Sequence, residues 1–347
     1  MLSKIAFPIV RRRRDQRTLG RQCVGIDLAE HAIRVVCVTA LDEGEWAWNS
    51  RAEIPFPAEL RESGEGERHL QSTEKLTERI AHFLPRTADA RRRSSALVLP
   101  ATTSVIRAPG DVADAELEAS LREDLAPWIE GREALRTCQW NSGDGKRRGL
   151  YAVSGSLCTA VAHVVEQAGY QIPRIEAHPH ALARAASLTA AKNPLAILHW
   201  GFSDCLLVVL APGNRVKNCP HQPGLCRQLH GFALRRFLLP AGKPTSMDGH
   251  AERRRDRIEQ CVAAAAEEIL RTAKSLGPVA DEAAAREVLV CGEATEIPGL
   301  LEQLQHGLRL KVSAWQWHGG PRPPSHDAAP EDSRFAMALG VACGGGG

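Results

Sequence analysis

Two segments, far apart in the chain, carry residues whose types and spacing could do chemistry. The first is Val24-Gly25-Ile26-Asp27-Leu28-Ala29-Glu30-His31-Ala32-Ile33-Arg34-Val35-Val36. It places an acid, Asp27, at the end of an apolar strand, just before a sharp turn into a second strand. A carboxylate so placed can orient a metal ion or an attacking water. The second is Val288-Leu289-Val290-Cys291-Gly292-Glu293-Ala294-Thr295-Glu296-Ile297-Pro298-Gly299-Leu300. It reads as a buried strand, a turn at Gly292, then a helix opening at Pro298. Glycine at such turns lets backbone amides approach a ligand closely.

The elements that must position these groups follow from periodicity. From Cys23 to Pro57, Val24, Ile26, Ile33, Val35, Cys37 and Ala47 predict adjacent antiparallel strands. Glu74 to Leu84 reads as a helix with Leu76, Ile80 and Phe83 on one face. Residues 96–100 and 104–107 read as short strands. Asp114 opens a helix whose stripe is Leu117, Leu121, Leu125, Trp128 and Ile129. Gly149 to Ser154 is a strand, and Ser156 caps a helix that Gly169 stops. Ala181 to Ala191 reads as an Ala-rich helix broken by Pro194. A buried strand, 195–198, then pairs with Cys205 to Leu210 across a turn at Gly201. That strand, turn, strand opening repeats the first, and an internal duplication is expected. Ile258 to Leu276 forms a long helix, and residues 335–342 a small-residue one.

The 347 residues suffice for two domains and a large core. Hydrophobics at 44% and charged residues at 24% are ordinary for a globular protein. A net charge of +3 gives no argument for nucleic acid. No window approaches a membrane span. Arg11–Arg14 follow the apolar start instead of preceding it, the reverse of a signal peptide, so a cytoplasmic chain is expected. Ten cysteines without regular spacing fit reduced thiols.

Several other motifs carry little. Cys219, His221, Cys226 and His230, with His178 and His180 elsewhere, are zinc-type residues in no common zinc spacing, so no metal site is assigned. Arg91–Arg93 and Arg253–Arg255 read as solvated faces. Cys138 and Cys158 lack a nucleophile's neighbours, Gly155-Ser156 lacks the spacing of a nucleophile elbow, and the Lys-Ser/Thr signature of a phosphate loop is absent.

The order and spacing of these segments resemble the actin-like ATPases, and within them the PilM family of type IV pilus assembly proteins, over about residues 22–343. The resemblance rests on Val24-Gly25-Ile26-Asp27, on Leu97-Val98-Leu99-Pro100, on Ser104-Val105-Ile106-Arg107 and the helix 115–128, on Gly169-Tyr170, Ile175-Glu176 and 181–185, and on Cys291-Gly292-Glu293 with 336–340. It implies an α/β fold of two ribonuclease H-like duplicated domains with an inserted small subdomain, as in PilM and FtsA. The implied division is a basic flexible tail at 1–21, the first part of the first actin-like subdomain at 22–95, an inserted peptide-docking subdomain at 96–176, a second actin-like domain at 177–343 whose last helix returns to the first, and a glycine tail at 344–347.

The same resemblance implies a nucleotide cleft, for ATP with Mg²⁺, drawn from Gly25, Asp27, Ala29, Glu30, Arg34, His199, Gly201, Phe202, Gly292 and Glu293. Here the sequence departs from the family pattern. Ala29 stands for a glycine, and Glu30, His31 and Ala32 for small hydroxyl residues. His199 stands for an acid, Phe202 for alanine and Glu293 for glycine. Asp27 is the acid retained. An uncompensated carboxylate at a phosphate position is unfavourable, and departures at three corners argue against hydrolysis. The implied function is a cytoplasmic platform component, peripheral to the inner membrane, in type IV pilus assembly or a related competence or secretion machine. Its implied partner is the cytoplasmic N-terminal peptide of a PilN-like bitopic membrane protein, docked near 96–108 and 150–175. Self-association, and contact of Arg11–Arg14 with an anionic membrane surface, are further expectations. The alternative is an active ATPase or small-molecule kinase of the same fold.

Overall fold

The computed structural model describes residues 20–29, 31–41, 45–56, 73–84, 94–107, 114–126, 134–141, 148–191, 194–202, 204–212, 221–229, 232, 234, 248–274, 287–321 and 330–344. The basic tail up to residue 19, Glu30, Cys219, His230 and Arg91–Arg93 therefore lie outside the described residues. The strands are β1 (Gln22–Leu28), β2 (Ala32–Ala40), β3 (Trp46–Pro55), β4 (Ser94–Val98), β5 (Ser104–Arg107), β6 (Leu135–Asn141), β7 (Arg148–Ser154), β8 (Gln171–Ile175), β9 (Pro194–Trp200), β10 (Cys205–Pro212), β11 (His221–Gln228), β12 (Glu287–Cys291) and β13 (Lys311–Ala314). The helices are α1 (Thr73–Phe83), α2 (Asp114–Asp124), α3 (Gly155–Gln167), α4 (His178–Ser187), α5 (Asp248–Lys274), α6 (Leu300–Leu308) and α7 (Ala336–Cys343).

The expected duplication is present in the sheets. One sheet has the order β3-β2-β1-β4-β8 and the other β11-β10-β9-β12-β13. In each, an antiparallel meander of three strands is extended by two parallel strands. This is an actin-like pair of ribonuclease H-like halves. Between β4 and β8 the chain leaves the first sheet and builds a third one, β5-β7-β6, all antiparallel. Since β4 and β8 themselves stand in the first sheet, the excursion is narrower than 96–176.

Burial explains the composition of the second sheet. Leu198, Trp200, Leu207, Val209, Val288 and Val290 pack with α5 and α6, whereas Ile197, Leu206, Val208, Leu289 and Cys291 join the large core shared with the first half. Both faces are covered, so these strands read as continuous apolar runs instead of alternating ones.

Helix α7 closes the first half. Every residue from Ala336 to Ala342 is buried, as expected of a helix apolar all round. It runs between β1 and α4. Two glycines make this possible: a Cβ at Gly340 would collide with the carbonyl oxygen of Ala181 on α4, and one at Gly25 with that of Ala338. The helix's last carbonyls are capped by arginines. Arg184 Nε donates to Gly340 O at 2.8 Å, and Arg174 donates to Gly344 O at 2.8 Å. Both arginines pair with the buried Glu176. Cations at a helix C-terminus satisfy orphan carbonyls and the macrodipole together.

Four local expectations change. Ser154, not Ser156, caps α3: its hydroxyl accepts from the Leu157 amide at 3.1 Å, because the helix starts directly from the end of β7. The helix expected from Ala181 begins at His178 and ends at Ser187. The helix expected from Pro298 is preceded by a 3-10 turn, Glu293–Glu296, and begins at Leu300. β6, β8 and β11 are strands that polar residues and prolines conceal.

Candidate functional site

Asp27 sits near the end of β1, directly across from Arg34 on β2, which in turn faces Glu53 on β3. Such cross-strand neighbours share one face of a sheet and interact directly. Arg34 is fully buried. Its Nη1 donates to Asp27 Oδ2 at 3.2 Å and its Nε to Glu53 Oε1 at 3.0 Å. Its Nη2 donates to the Glu293 carboxylate, which comes from the turn after β12 in the other half. A planar guanidinium with a fork of donors can serve several carboxylates at once, and an ammonium cannot do so with the same geometry.

Glu293 is held from two further sides. His31 Nε2 lies 2.9 Å from its Oε1, and the backbone amide of Phe202 donates to its Oε2 at 3.1 Å. The rings of His31 and Phe202 lie 5.4 Å apart. Burial raises the Glu293 pKa, but Arg34 and His31 more than offset it and hold the carboxyl well below its ordinary range. Burial pushes Asp27 upward, with Arg34 and His199 pulling it back. Burial works against the charge on Arg34, and Glu293, Asp27 and Glu53 overcome it, so the guanidinium is held more firmly protonated. The network continues outward: Arg334 pairs with Glu53 at 2.8 Å and with Glu296 at 2.7 Å.

The second hairpin holds a separate ion pair. His199 Nε2 lies 3.4 Å from Asp204 Oδ1, and its Nδ1 lies 3.7 Å from Cys291 Sγ. Burial opposes protonation of His199, but Asp204 outweighs it and raises the pKa well above 6.5. Asp204 was not anticipated. It stands just across the turn from Gly201, whose N–H donates to the Asp204 carbonyl at 2.8 Å. Gly292 has φ +92, and a Cβ there would meet the Trp200 carbonyl oxygen at 2.6 Å. The position therefore needs glycine for its backbone shape and for the close strand beside it.

The structure brings Asp27, Arg34, His199, Gly201, Phe202, Gly292 and Glu293 to one crossing between the halves. Ala29 lines the cavity beside them. Gly25 is set apart, in mid-strand under α7. That cavity, bounded also by Asp27, His178, His199, Asp204 and Met337, has a volume of about 10 Å³, room for one water molecule. His31, Glu53 and Glu293 offer ligand atoms within 4.8 Å of one another, but the Arg34 guanidinium already lies among them. The Phe202 amide, which the resemblance aims at a phosphate, is taken by Glu293. Mg²⁺-ATP does not fit this arrangement unless Glu293 moves. Sequence reasoning missed Glu53, His178 and Asp204 as members of the site; register opposite Arg34 would have found Glu53.

His178 is 2% exposed, and burial holds its pKa down at about 4 against 6.5. Between those values the folded protein keeps it neutral while the unfolded chain protonates. The unfolded state then binds more protons, so stability falls as pH drops from about 6.5 to about 4. This residue alone contributes up to about 3 kcal/mol of that loss. Urea midpoints at about pH 7 and about pH 4.5 are expected to differ less in His178→Gln than in the wild type. Equal drops in both would remove His178 from the account.

The two duplicated halves around a cleft define the actin-like fold class. The solved PilM-PilN type IV pilus biogenesis complex has a similar chain, 17% identical, with 95% of this chain and 99% of that one covered at a TM-score of 0.59. This chain is PilM-like in fold. MreB 5 of Spiroplasma citri bound to AMPPNP is 11% identical over 92% of this chain and 94% of its own, at a TM-score of 0.48. The ethanolamine utilization protein EutJ from Carboxydothermus hydrogenoformans is 14% identical over 93% and 89%, at 0.47. No protein-family model matches the sequence, and a search of curated proteins finds no significant match. Among the described residues, no helix is long and apolar enough to cross a membrane.

Proposed function

We propose that this chain is an assembly adaptor of a type IV pilus or related secretion platform, working at the cytoplasmic face of the inner membrane and binding the N-terminal cytoplasmic peptide of a PilN-like membrane protein. The observation that carries this reading is the match to the PilM-PilN complex over nearly the whole of both chains. The third sheet, β5-β7-β6, supports it. It leaves the first half between β4 and β8, in the region expected to receive an extended peptide. Such peptides dock through backbone hydrogen bonds, with pockets for alternate side chains. An inserted docking subdomain between β4 and β8, and the contact of Arg11–Arg14 with anionic lipid, belong to the same proposal.

Catalysis is not part of the role. A hydrolase needs a carboxylate free to orient water or metal. Asp27 is engaged by Arg34, and the second corner holds the His199–Asp204 pair. ATP with Mg²⁺ enters the proposal only for a state in which Glu293 has left the Phe202 amide. The test is calorimetry with a peptide copying the cytoplasmic N-terminus of a PilN-like membrane protein. Saturable one-to-one binding in the absence of nucleotide is expected. Absence of heat at high micromolar peptide, or steady phosphate release from ATP that Asp27→Asn abolishes, would overturn the reading.

A further inference from the structure

We propose that Glu293 is a built-in anion that latches the two halves together, doing by a side chain what a bound phosphate would otherwise do at this crossing. Its carboxylate accepts from a turn amide of its own half, Phe202 N–H at 3.1 Å, and from Arg34 of the opposite half. His31, also of the first half, closes the third side at 2.9 Å. An amide, a guanidinium and an imidazole converging on one carboxylate make an oxyanion cradle. The cradle is supplied from both halves, and its occupant is tethered to one of them. Its effective concentration is therefore that of an intramolecular partner, fixed and independent of any solute. Closure in this chain is thus uncoupled from ligand supply.

The carboxylate also matches the charge of its surroundings. Arg34 already faces Asp27 and Glu53. A phosphate dianion in the cradle would add a second negative charge beside them, at a cost that low local dielectric enlarges. A monocarboxylate restores the original count. Formate is therefore the probe that should replace the missing side chain.

The experiment compares wild type with Glu293→Ala by thermal unfolding and solution scattering, in formate and in chloride at matched ionic strength. The wild type should respond alike to both salts. Glu293→Ala is expected to melt roughly 5–10 °C lower in chloride, with a larger radius of gyration, and to recover much of both in formate. Formate and chloride acting alike on the variant, or a variant as compact and stable as the wild type, overturns the latch. If Glu293→Ala does not fold, Glu293→Gln keeps the shape and, with its amide oxygen on the Phe202 N–H, loses both the charge and the acceptor that faces Arg34. It is expected to melt lower than the wild type without responding to formate, and equality with the wild type would overturn the proposal. Peptide binding is not read in either arm, so this result stands apart from the adaptor reading.

Discussion

Arg34→Met is expected to destabilise the protein by about 3–5 kcal/mol, the cost of stranding buried charge. Methionine approximates the side chain's length and apolar stem but not its charge. Three carboxylates, from Asp27, Glu53 and Glu293, then face one another without the cation between them. They cannot recover by pairing elsewhere at equal strength, although Glu53 keeps Arg334. Protonation relieves part of the repulsion, so the loss should shrink toward acid pH. Arg34→Lys should rescue only partly, since a single ammonium cannot reproduce a fork that reaches the strands on both sides of β2 and the opposite half. The measurement is the denaturant midpoint at neutral pH. A midpoint within error of the wild type would mean that the carboxylates are not charged around Arg34, and the account of the site would fail.

The second large effect sits in packing. Gly340→Ala is expected to destabilise, against the helix preference of the new residue. Alanine gains about 1 kcal/mol over glycine in a helix interior. Here the added methyl meets the backbone carbonyl of Ala181, which no rotamer change can move. Overpacking a rigid core costs roughly 1–3 kcal/mol, occasionally more. α7 can retreat from α4 only by pressing on β1, where Gly25 gives it no spare room. Both sides of the helix are constrained, so the upper end of that range is expected, and the net loss should be about 2 kcal/mol. Gly340→Val should exceed it and deplete soluble protein. Calorimetric unfolding of Gly340→Ala decides the sign, and a raised midpoint would mean that α7 is loosely seated.

Much of the fold is legible in the sequence because its signals are local. Val24 and Ile26 alternate with partners on the next strand, and Ile197 and Leu198 face two different cores, so β1, β2, β9, β10 and β12 announce themselves. β8, Gln171–Ile175, and β11, His221–Gln228, do not. Pro173 and Pro223 contradict the usual strand pattern, and the strands form because neighbours already in place pair with them. The site was half legible for the same reason. Arg34 is conspicuous as a charge within an apolar strand. Its meaning is not, since Glu293 lies 259 residues away. Glu293 looks like a defect when read against its own loop. Only the fold supplies the guanidinium that compensates it.

The seating of α7 bears on how the molecule is made. β1 and β2 leave the ribosome well before the helix that covers them, which is encoded some 300 residues later, after the strands of the second half. Domains commonly fold as units during synthesis, N-terminal ones ahead. This one cannot finish early. Its Gly25 strip stays uncovered until α7 has been made, a window in which chaperones would have something to hold.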